Sequence, residues 1–184
     1  MNGPSELINI SRKPKTKIKK ALFLFFDWLL PDINWWYLGR FTNKIRIFFA
    51  RGLSKDIDWN ISLHKGADIY PGLVIESGVF INRCVSFDWG VTIKSNTKIG
   101  EYTSFVTHNW ERDMLTGTLH EPSVIRPIVV GHDCWIGEKS EVLPGVTIGD
   151  YTTIGASSVI TKNIPEWCLA VGNPAIVKKH YYHN

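Results

Sequence analysis

The feature that most constrains this chain is a six-residue ladder of large apolar side chains. Counting in sixes from Ile57 to Phe105 lands on such a side chain every time. The nine positions are Ile57, Leu63, Ile69, Ile75, Ile81, Phe87, Ile93, Ile99 and Phe105. Neither an α-helix of period 3.6 nor a strand of period 2 requires this spacing, so the ladder indicates a repeat architecture.

The ladder is interrupted once. The count resumes at Val124 and continues in sixes to Ile160. The distance from Phe105 to Val130 is 25 residues, one more than four sixes, so a segment between the two blocks must leave the repeat. We predict a protruding loop at about residues 109–123. Loops carried by a rigid scaffold often hold functional residues.

Each repeat carries a second apolar or small residue four positions after the ladder residue, such as Val85 after Ile81. That position lies two residues before the next ladder residue, and alternate residues of a strand share a face. Glycines such as Gly100 and Gly137 directly follow a ladder residue, which suits tight corners. The pattern predicts an all-β solenoid of short parallel strands whose coils bury their inner faces together.

Four motifs make this repeat resemble a known family. They are VGHDCWIG at 130–137, VLPGVTIGD at 142–150, IGASSVITK at 154–162 and GNPA at 172–175. Over about residues 57–179 the chain resembles the hexapeptide-repeat acyltransferases. The resemblance implies a left-handed parallel β-helix with an 18-residue, three-sided coil, a handedness that is otherwise very rare in crossover connections.

We expect three parts in the chain. Residues 1–56 form a basic, aromatic, helical N-terminal segment. Residues 57–165 form the β-helix with its protruding loop, and residues 166–184 form a C-terminal strand and tail.

The N-terminal segment is strongly basic. Residues 1–56 hold 11 Lys/Arg against 4 Asp/Glu, whereas the remainder holds 10 against 13, although the net charge is only +4. The apolar run at 21–30 is shorter than the roughly 20 residues that cross a membrane, and no signal-peptide cleavage site follows it. Two alternatives stay open: short helices, the second around 43–50, that pack on the repeat domain, or a peripheral contact with an anionic membrane.

Composition also argues against several classes of protein. The basic residues are not spread over the repeat, so we expect no nucleic-acid partner. The three cysteines form no CxxC pair, and Cys134 falls on an inward position, so a buried free thiol is expected. We expect a cytoplasmic location, with a contact to the inner face of the membrane left open.

The resemblance implies a catalytic base at His108, within THNW at 107–110. In related sugar and xenobiotic acetyltransferases a Thr-His or Gly-His at the matching place serves this role. A neutral imidazole can take the proton of a hydroxyl as it attacks a thioester. The other histidines are weaker candidates, and we expect His64 and His132 at solvent-facing corners. No histidine lies within eleven residues of His108, so we expect no zinc site of the γ-class carbonic anhydrase kind.

Several residues are candidates for substrate binding. Asp88 lies one 18-residue coil below Val106 and is a possible diagonal neighbour of His108, with Glu111 and Asp113 as alternatives. Asn82 matches an asparagine that touches the acceptor in sugar acetyltransferases. Trp110, two residues after His108, is assigned to the same site.

The resemblance also implies acetyl-CoA as the acyl donor and no metal. The matching donor positions are Trp135, Gly137, Ala156, Thr161, Lys162 and Lys179. We expect backbone N–H groups of the corner at 135–137 to face the thioester oxygen. The two lysines suit the 3′-phosphate. Glu138 stands where a small residue is common.

The sequence therefore predicts an acetyl-CoA-dependent O-acetyltransferase that acts on a sugar hydroxyl in surface polysaccharide biosynthesis. By the same resemblance it should be a homotrimer. Three alternatives are kept: an N-acetyltransferase acting on an amino sugar nucleotide, an antibiotic or serine acetyltransferase, and a non-catalytic β-helix scaffold. A fold by itself does not identify the acceptor.

Overall fold

A computed structural model describes residues 14–32, 36–120 and 124–181 of the chain. It begins with two helices, α1 (Pro14–Leu29) and α2 (Trp36–Leu53). Both helices were predicted, and both are longer than the apolar runs that indicated them. The predicted features at residues 1–13 lie outside the described residues. Within the described residues, no helix combines the length and the apolar character that crossing a membrane requires.

Short strands follow α2 along the described chain. In order they are β1 (Ser62–Leu63), β2 (Asp68–Ile69), β3 (Val74–Ile75), β4 (Phe80–Ile81), β5 (Ser86–Phe87), β6 (Val91–Ile93), β7 (Lys98–Ile99), β8 (Ser104–Phe105), β9 (Glu111–Arg112), β10 (Leu119–His120), β11 (Ile128–Val130), β12 (Trp135–Ile136), β13 (Glu141–Val142), β14 (Thr147–Ile148), β15 (Thr153–Ile154), β16 (Val159–Ile160), β17 (Cys168–Val171) and β18 (Ile176–His180).

Apart from β9 and β10, these strands form the three sides of a parallel β-helix of about six turns. One side has the order β1-β4-β7-β12-β15-β17-β18, the second β16-β13-β8-β5-β2 and the third β14-β11-β6-β3. Pairing is parallel with a register of 18 residues, as in Leu63 opposite Ile81. Only β18 reverses direction within these sides, since it pairs antiparallel with β17. The predicted three-sided coil is confirmed.

The ladder residues fill the inside of the coil. All nine positions from Ile57 to Phe105 are buried, and Phe87 stacks on Phe105 one coil away at 5.1 Å between ring centroids. The polar residues of the second inward position are also satisfied: the hydroxyl of Thr97 donates to the carbonyl of Gly131 at 2.7 Å. Burial of a large aliphatic side chain is worth roughly 1.5–3 kcal/mol, so the buried ladder contributes a large share of the stability.

The ladder does not resume at Val124, and that part of the prediction is wrong. Val124 is 50% exposed, and the repeat begins again only at β11. The backbone N–H of Arg126 donates to the carbonyl of Thr107 at 2.8 Å, so this segment still belongs to the protruding loop. We call this loop the excursion. The excursion therefore runs from the end of β8 to the start of β11, between the second and third sides of one coil.

The helices pack on the first coil of the β-helix. Phe23 and Ile47 are buried in the same core as the ladder, and Phe26 stacks on Phe49 at 4.3 Å. A buried ion pair joins the two helices, with Arg46 Nε 2.7 Å from Asp27 Oδ1. The other oxygen of that carboxylate accepts a hydrogen bond from the backbone of the β-helix. In the structure the two helices pack on the repeat domain, which is one of the two predicted alternatives.

Candidate active site

His108 and Asp88 form a close pair where the excursion leaves the β-helix. Nδ1 of His108 lies 3.0 Å from Oδ2 of Asp88, and both side chains are partly exposed. The coil explains the pairing. Asp88 directly follows β5, and its N–H donates to the carbonyl of Phe105 in the coil above, at 3.1 Å. Asp88, one 18-residue coil below Val106, is one of the three carboxylates that the sequence offered as a neighbour of His108.

The residue before His108 ties the site to both ends of the excursion. Thr107 is buried, and its N–H donates to Oδ2 of Asp88 at 3.1 Å. Its carbonyl accepts the hydrogen bond from Arg126 described above. With Nδ1 turned towards a carboxylate, the opposite nitrogen Nε2 of His108 is the one that can take a proton from a substrate. The same carboxylate would stabilise the imidazolium that forms.

A row of aromatic side chains runs from the N-terminal helices to His108. The ring of Trp89 lies 5.3 Å from that of His108, and the ring of Tyr70 lies 4.8 Å from that of Trp89. Lys20 of α1 completes the row, with Nζ 3.2 Å from the centre of the Tyr70 ring. The sequence predicted no role for Tyr70 or Trp89. The sequence feature that could have indicated them is that each comes just after a strand on the same side of the coil as β8.

The excursion itself is a hairpin. β9 pairs antiparallel with β10, and the turn between them carries the exposed side chains of Met114 and Leu115. Asp113 accepts hydrogen bonds from the backbone of Leu115 and Thr116, which hold the pKa of its carboxyl below the ordinary value. Asp113 is thus engaged in its own turn. Of the two candidate carboxylates whose side chains the structure describes, Asp88 is the one beside His108, and the side chain of Glu111 lies outside the described part.

A groove of about 890 Å³ runs along the side that contains β4, β7, β12 and β15. Four of the predicted site residues line it: Asn82, Trp135, Gly137 and Ala156. The sequence assigned Asn82 to the acceptor and the other three to the donor. The structure places all four in one groove, and Oδ1 of Asn82 accepts a hydrogen bond from the backbone of the next residue at 2.9 Å.

The other predicted residues lie elsewhere in the chain. Thr161 and Lys162 follow β16, on the second side of the coil, and do not line the groove. Lys179 is exposed in β18, opposite Leu169. Trp110 is exposed at the start of the excursion. His108 itself is not a lining residue of the groove.

Two backbone N–H groups that were expected to face the thioester oxygen instead donate hydrogen bonds to the next coil, so that part of the prediction is wrong. The N–H of Trp135 donates to the carbonyl of Thr152 at 3.0 Å, and the N–H of Gly137 to that of Ile154 at 2.8 Å. Coil stacking consumes these groups because every strand of the β-helix pairs with the next coil. It also explains the glycine: a Cβ at position 137 would lie 2.5 Å from the backbone nitrogen of Ala156.

The expectation that His64 faces solvent is also wrong, since only 5% of the residue is exposed. Its Nδ1 lies 3.0 Å from Oδ1 of Asp32, in the segment that follows α1, and burial lowers its pKa. His132 is partly exposed between the carboxylates of Asp133 and Asp150, at 2.9 and 3.1 Å. Among the described residues, no group of three or more His, Cys, Asp or Glu side chains could hold a metal ion.

Comparison with known proteins defines the class of this fold. A family model described as "Bacterial transferase hexapeptide (six repeats)" matches residues 127–162. The galactoside O-acetyltransferase of Escherichia coli (strain K12) is 46% identical over 63 residues, which are 30% of this chain and 31% of that protein. Residues 127–162 therefore match the hexapeptide repeat that this family model describes, as the motifs in this stretch predicted.

Solved structures extend the likeness to nearly the whole chain. A maltose O-acetyltransferase from Clostridium difficile 630 superposes with a TM-score of 0.69 at 22% identity, over 94% of this chain and 91% of that one. A hexapeptide-repeat acetyltransferase from Vibrio cholerae, complexed with acetyl coenzyme A, gives 0.68 at 22% identity, over 94% and 92%. These likenesses show the fold, a left-handed parallel β-helix.

The sequence matches are shorter than the structural ones. The matched segments span only 27% to 31% of the length of the curated relatives.

Proposed function

We propose that this chain is an acyltransferase that moves an acetyl group from acetyl-CoA to a sugar hydroxyl, with His108 as the general base. The observation that carries the proposal is the pair of His108 and Asp88. The imidazole of His108 lies beside the carboxylate of Asp88, at the point where the excursion leaves the coil. A partly exposed imidazole next to a carboxylate has the arrangement that general-base catalysis requires. The names of the related galactoside and maltose enzymes support a sugar acceptor.

The proposed reaction needs one proton to move twice. Nε2 of His108 takes the proton of the acceptor hydroxyl as its oxygen bonds to the thioester carbonyl carbon. The tetrahedral intermediate then collapses, the carbon–sulfur bond breaks, and the sulfur leaves with the proton that His108 held. The products are an acetyl ester and coenzyme A. The carboxylate of Asp88 compensates the transient positive charge on the ring.

The groove on the β4-β7-β12-β15 side is our proposed donor site. Trp135 offers an exposed aromatic surface there, and Lys98 adds a positive charge at the lining. Since the N–H groups of Trp135 and Gly137 are paired, we propose that stabilisation of the oxyanion comes from other donors. Thr161, Lys162 and Lys179 remain proposed donor contacts, and Asn82 and Trp110 remain proposed acceptor contacts.

Because His108 does not line this groove, we propose that the active site is completed between copies of the chain in a homotrimer. The base of one copy would then act on a thioester held in the groove of the next. The same arrangement would allow Thr161 and Lys162, on the side of the coil that carries His108, to reach the donor from a neighbouring copy.

The experiment is a thiol-release assay with acetyl-CoA against a panel of sugars, nucleotide sugars and lipid-linked saccharides. We expect His108→Ala to lower kcat by about 10²–10⁴-fold, the usual contribution of a general base. The matched control is His120→Ala, which removes an exposed histidine from the same excursion and should leave turnover unchanged. Wild-type turnover by His108→Ala with every acceptor, or a protein that binds no acetyl-CoA, would contradict the proposal.

Asp88→Asn tests the partner as a positioning residue. The amide keeps the size of the side chain and removes its charge, so we expect kcat to fall by less than in His108→Ala, while KM for acetyl-CoA stays the same. A loss that appeared in the thermal midpoint and not in kcat would assign Asp88 to the fold alone.

A further inference from the structure

Helix α1 has a second apolar stripe that the β-helix leaves uncovered. Ile18, Leu22, Phe25 and Leu29 follow one another at spacings of four, three and four residues, which places them along one face of a helix. They are 44% to 60% exposed, whereas Phe23 of the same helix is buried against the first coil. Four large apolar side chains in one exposed row form an apolar patch, and such patches are typical of surfaces that contact a membrane or another protein.

Helix α2 continues this surface. Phe41 and Phe48, seven residues apart, are both exposed. The two helices meet at the stack of Phe26 on Phe49, and Phe25 and Phe48 flank that stack edge-on, with centroids 5.5 and 5.4 Å from their neighbours. We call the surface formed by Ile18, Leu22, Phe25, Leu29, Phe41 and Phe48 the helix-pair face.

A groove opens within the helix-pair face. It has a volume of about 300 Å³, and its lining includes Leu22 of α1, Phe48 and Phe49 of α2, and Trp59 beyond them. Two cationic residues complete it: Lys19 and Arg51. The groove joins α1 to α2 into one apolar surface with positive charge at its border.

The charges of the two helices are almost entirely of one sign. Within α1 and α2 there are eight Lys and Arg residues and one acidic residue, Asp27. Asp27 is buried and paired with Arg46, so it contributes no negative charge to the surface. Lys15 and Lys17 are exposed beside the apolar stripe. The two helices therefore present apolar and cationic side chains without an exposed carboxylate.

We infer that the helix-pair face is a docking surface for an anionic phospholipid bilayer. An apolar stripe bordered by lysines is the chemistry by which helices lie in the plane of a membrane interface. Each basic residue near an anionic surface adds to the attraction. A second copy of the same face is a poorer partner, since it would bring like charges together. The inference is independent of the proposed acyl transfer.

The first test is sedimentation of the full-length protein with vesicles. One set contains phosphatidylcholine alone, and the other contains phosphatidylcholine with phosphatidylserine. We expect binding to the anionic vesicles only, weakened when the salt rises from about 0.1 M to about 0.5 M because screening shortens the range of the attraction. Equal binding to both sets of vesicles would overturn the inference.

The apolar contribution is tested with Phe25→Ser combined with Phe48→Ser. We expect binding to anionic vesicles to weaken by about tenfold or more, since two large side chains lose their burial in the acyl boundary. The matched control is Met114→Ser with Leu115→Ser, which removes two apolar side chains that are even more exposed, from the hairpin turn, and should bind as wild type. Thermal midpoints of all variants establish that each is folded.

The ionic contribution is tested with Lys17→Glu and Lys19→Glu. A matched control, Lys139→Glu with Lys178→Glu, changes the net charge equally on the β-helix. We expect about tenfold weaker binding in the first pair and wild-type binding in the second. Wild-type binding by either pair of face variants, or an equal loss in the controls, would overturn the inference. So would a face variant that changes the oligomer mass while vesicle binding persists, since another chain would then cover the face.

Discussion

His64 is a side chain of the repeat that lies buried where the N-terminal segment packs on the β-helix. Its ring lies 4.9 Å from that of Phe80, and Asp32 lies beside Nδ1. Burial is the largest influence on this imidazole and lowers its pKa from the ordinary 6.5, although Asp32 acts in the opposite direction. The fold therefore favours the neutral form of His64.

This preference has a consequence for stability against pH. In the unfolded chain His64 regains its ordinary pKa, so the unfolded state binds more protons than the folded state just below pH 6.5. The free energy of unfolding must then fall as the pH drops through this region. We expect the thermal midpoint to decrease between about pH 7.5 and about pH 5.5, and to decrease less in His64→Gln. His120→Gln serves as control, and an identical slope in wild type and His64→Gln would contradict the prediction.

The residue scale also shows what the sequence can and cannot predict. Counting made Asp88 a candidate neighbour of His108, because coils stack in a register of 18 and Asp88 lies one coil below Val106. The environment of His64 could not, because Asp32 covers it from a segment outside the repeat. A periodic pattern describes contacts within the repeat and contains no information on what packs against it.

At the scale of elements, the joint between the helices and the β-helix depends on one arginine. Arg46 is fully buried and reaches Asp27 through Nε, while Nη2 donates to the carbonyls of Leu30 and Pro31 at 3.0 and 2.8 Å. Asp27 in turn accepts a hydrogen bond from the N–H of Gly66, at 2.7 Å. One ion pair thus links α1, α2, the segment after α1 and the first coil.

We expect Arg46→Met to destabilise the chain by about 3–5 kcal/mol, because it leaves the carboxylate of Asp27 buried without a cation. Urea unfolding measures this change. Arg83→Gln is the matched control: its pair with Glu101, at 2.6 Å, is at the surface, where solvent screens the charges, so its loss should cost far less stability. The double variant Arg46→Met with Asp27→Leu should regain most of the loss. An Arg46→Met variant as stable as Arg83→Gln would contradict the prediction.

The excursion illustrates the limit of periodicity at this scale. The break in register indicated that a segment leaves the repeat, and the structure confirms it. The pairing of β9 with β10 could not be read from the sequence, because two-residue strands carry too little alternation to be recognised. Val124 matched the six-residue count by coincidence, since one apolar residue at the right spacing does not show that its neighbours pair with the coil below.

At the scale of the whole molecule, the separation of His108 from the groove is the main constraint on function. The coil has three sides, and strands of different sides face away from each other. His108 follows β8 on the second side, whereas the groove lies over β4, β7, β12 and β15 on the first. Two sides of one straight solenoid cannot face each other, so His108 cannot face the groove of its own chain. Two copies placed side by side do bring a second side against a first.

This geometry predicts complementation between inactive variants. His108→Ala removes the base, and Ala156→Trp fills the groove, so each homotrimer should be inactive. Co-expressed with different tags and purified through both, every mixed trimer keeps one interface with an intact base and an intact groove. We expect about one third of wild-type turnover from the mixture, with a mass of three chains in sedimentation.

The result distinguishes between the two possible locations of the site. If His108 acted on a donor bound by its own chain, no mixed trimer would contain an intact site, and the mixture would be as inactive as its parents. Activity in Ala156→Trp alone would instead remove the groove from the proposal, because a filled donor site cannot turn over. Recovery near one third requires that the base and the groove belong to different copies, since only a site shared between chains can be rebuilt from two defective ones.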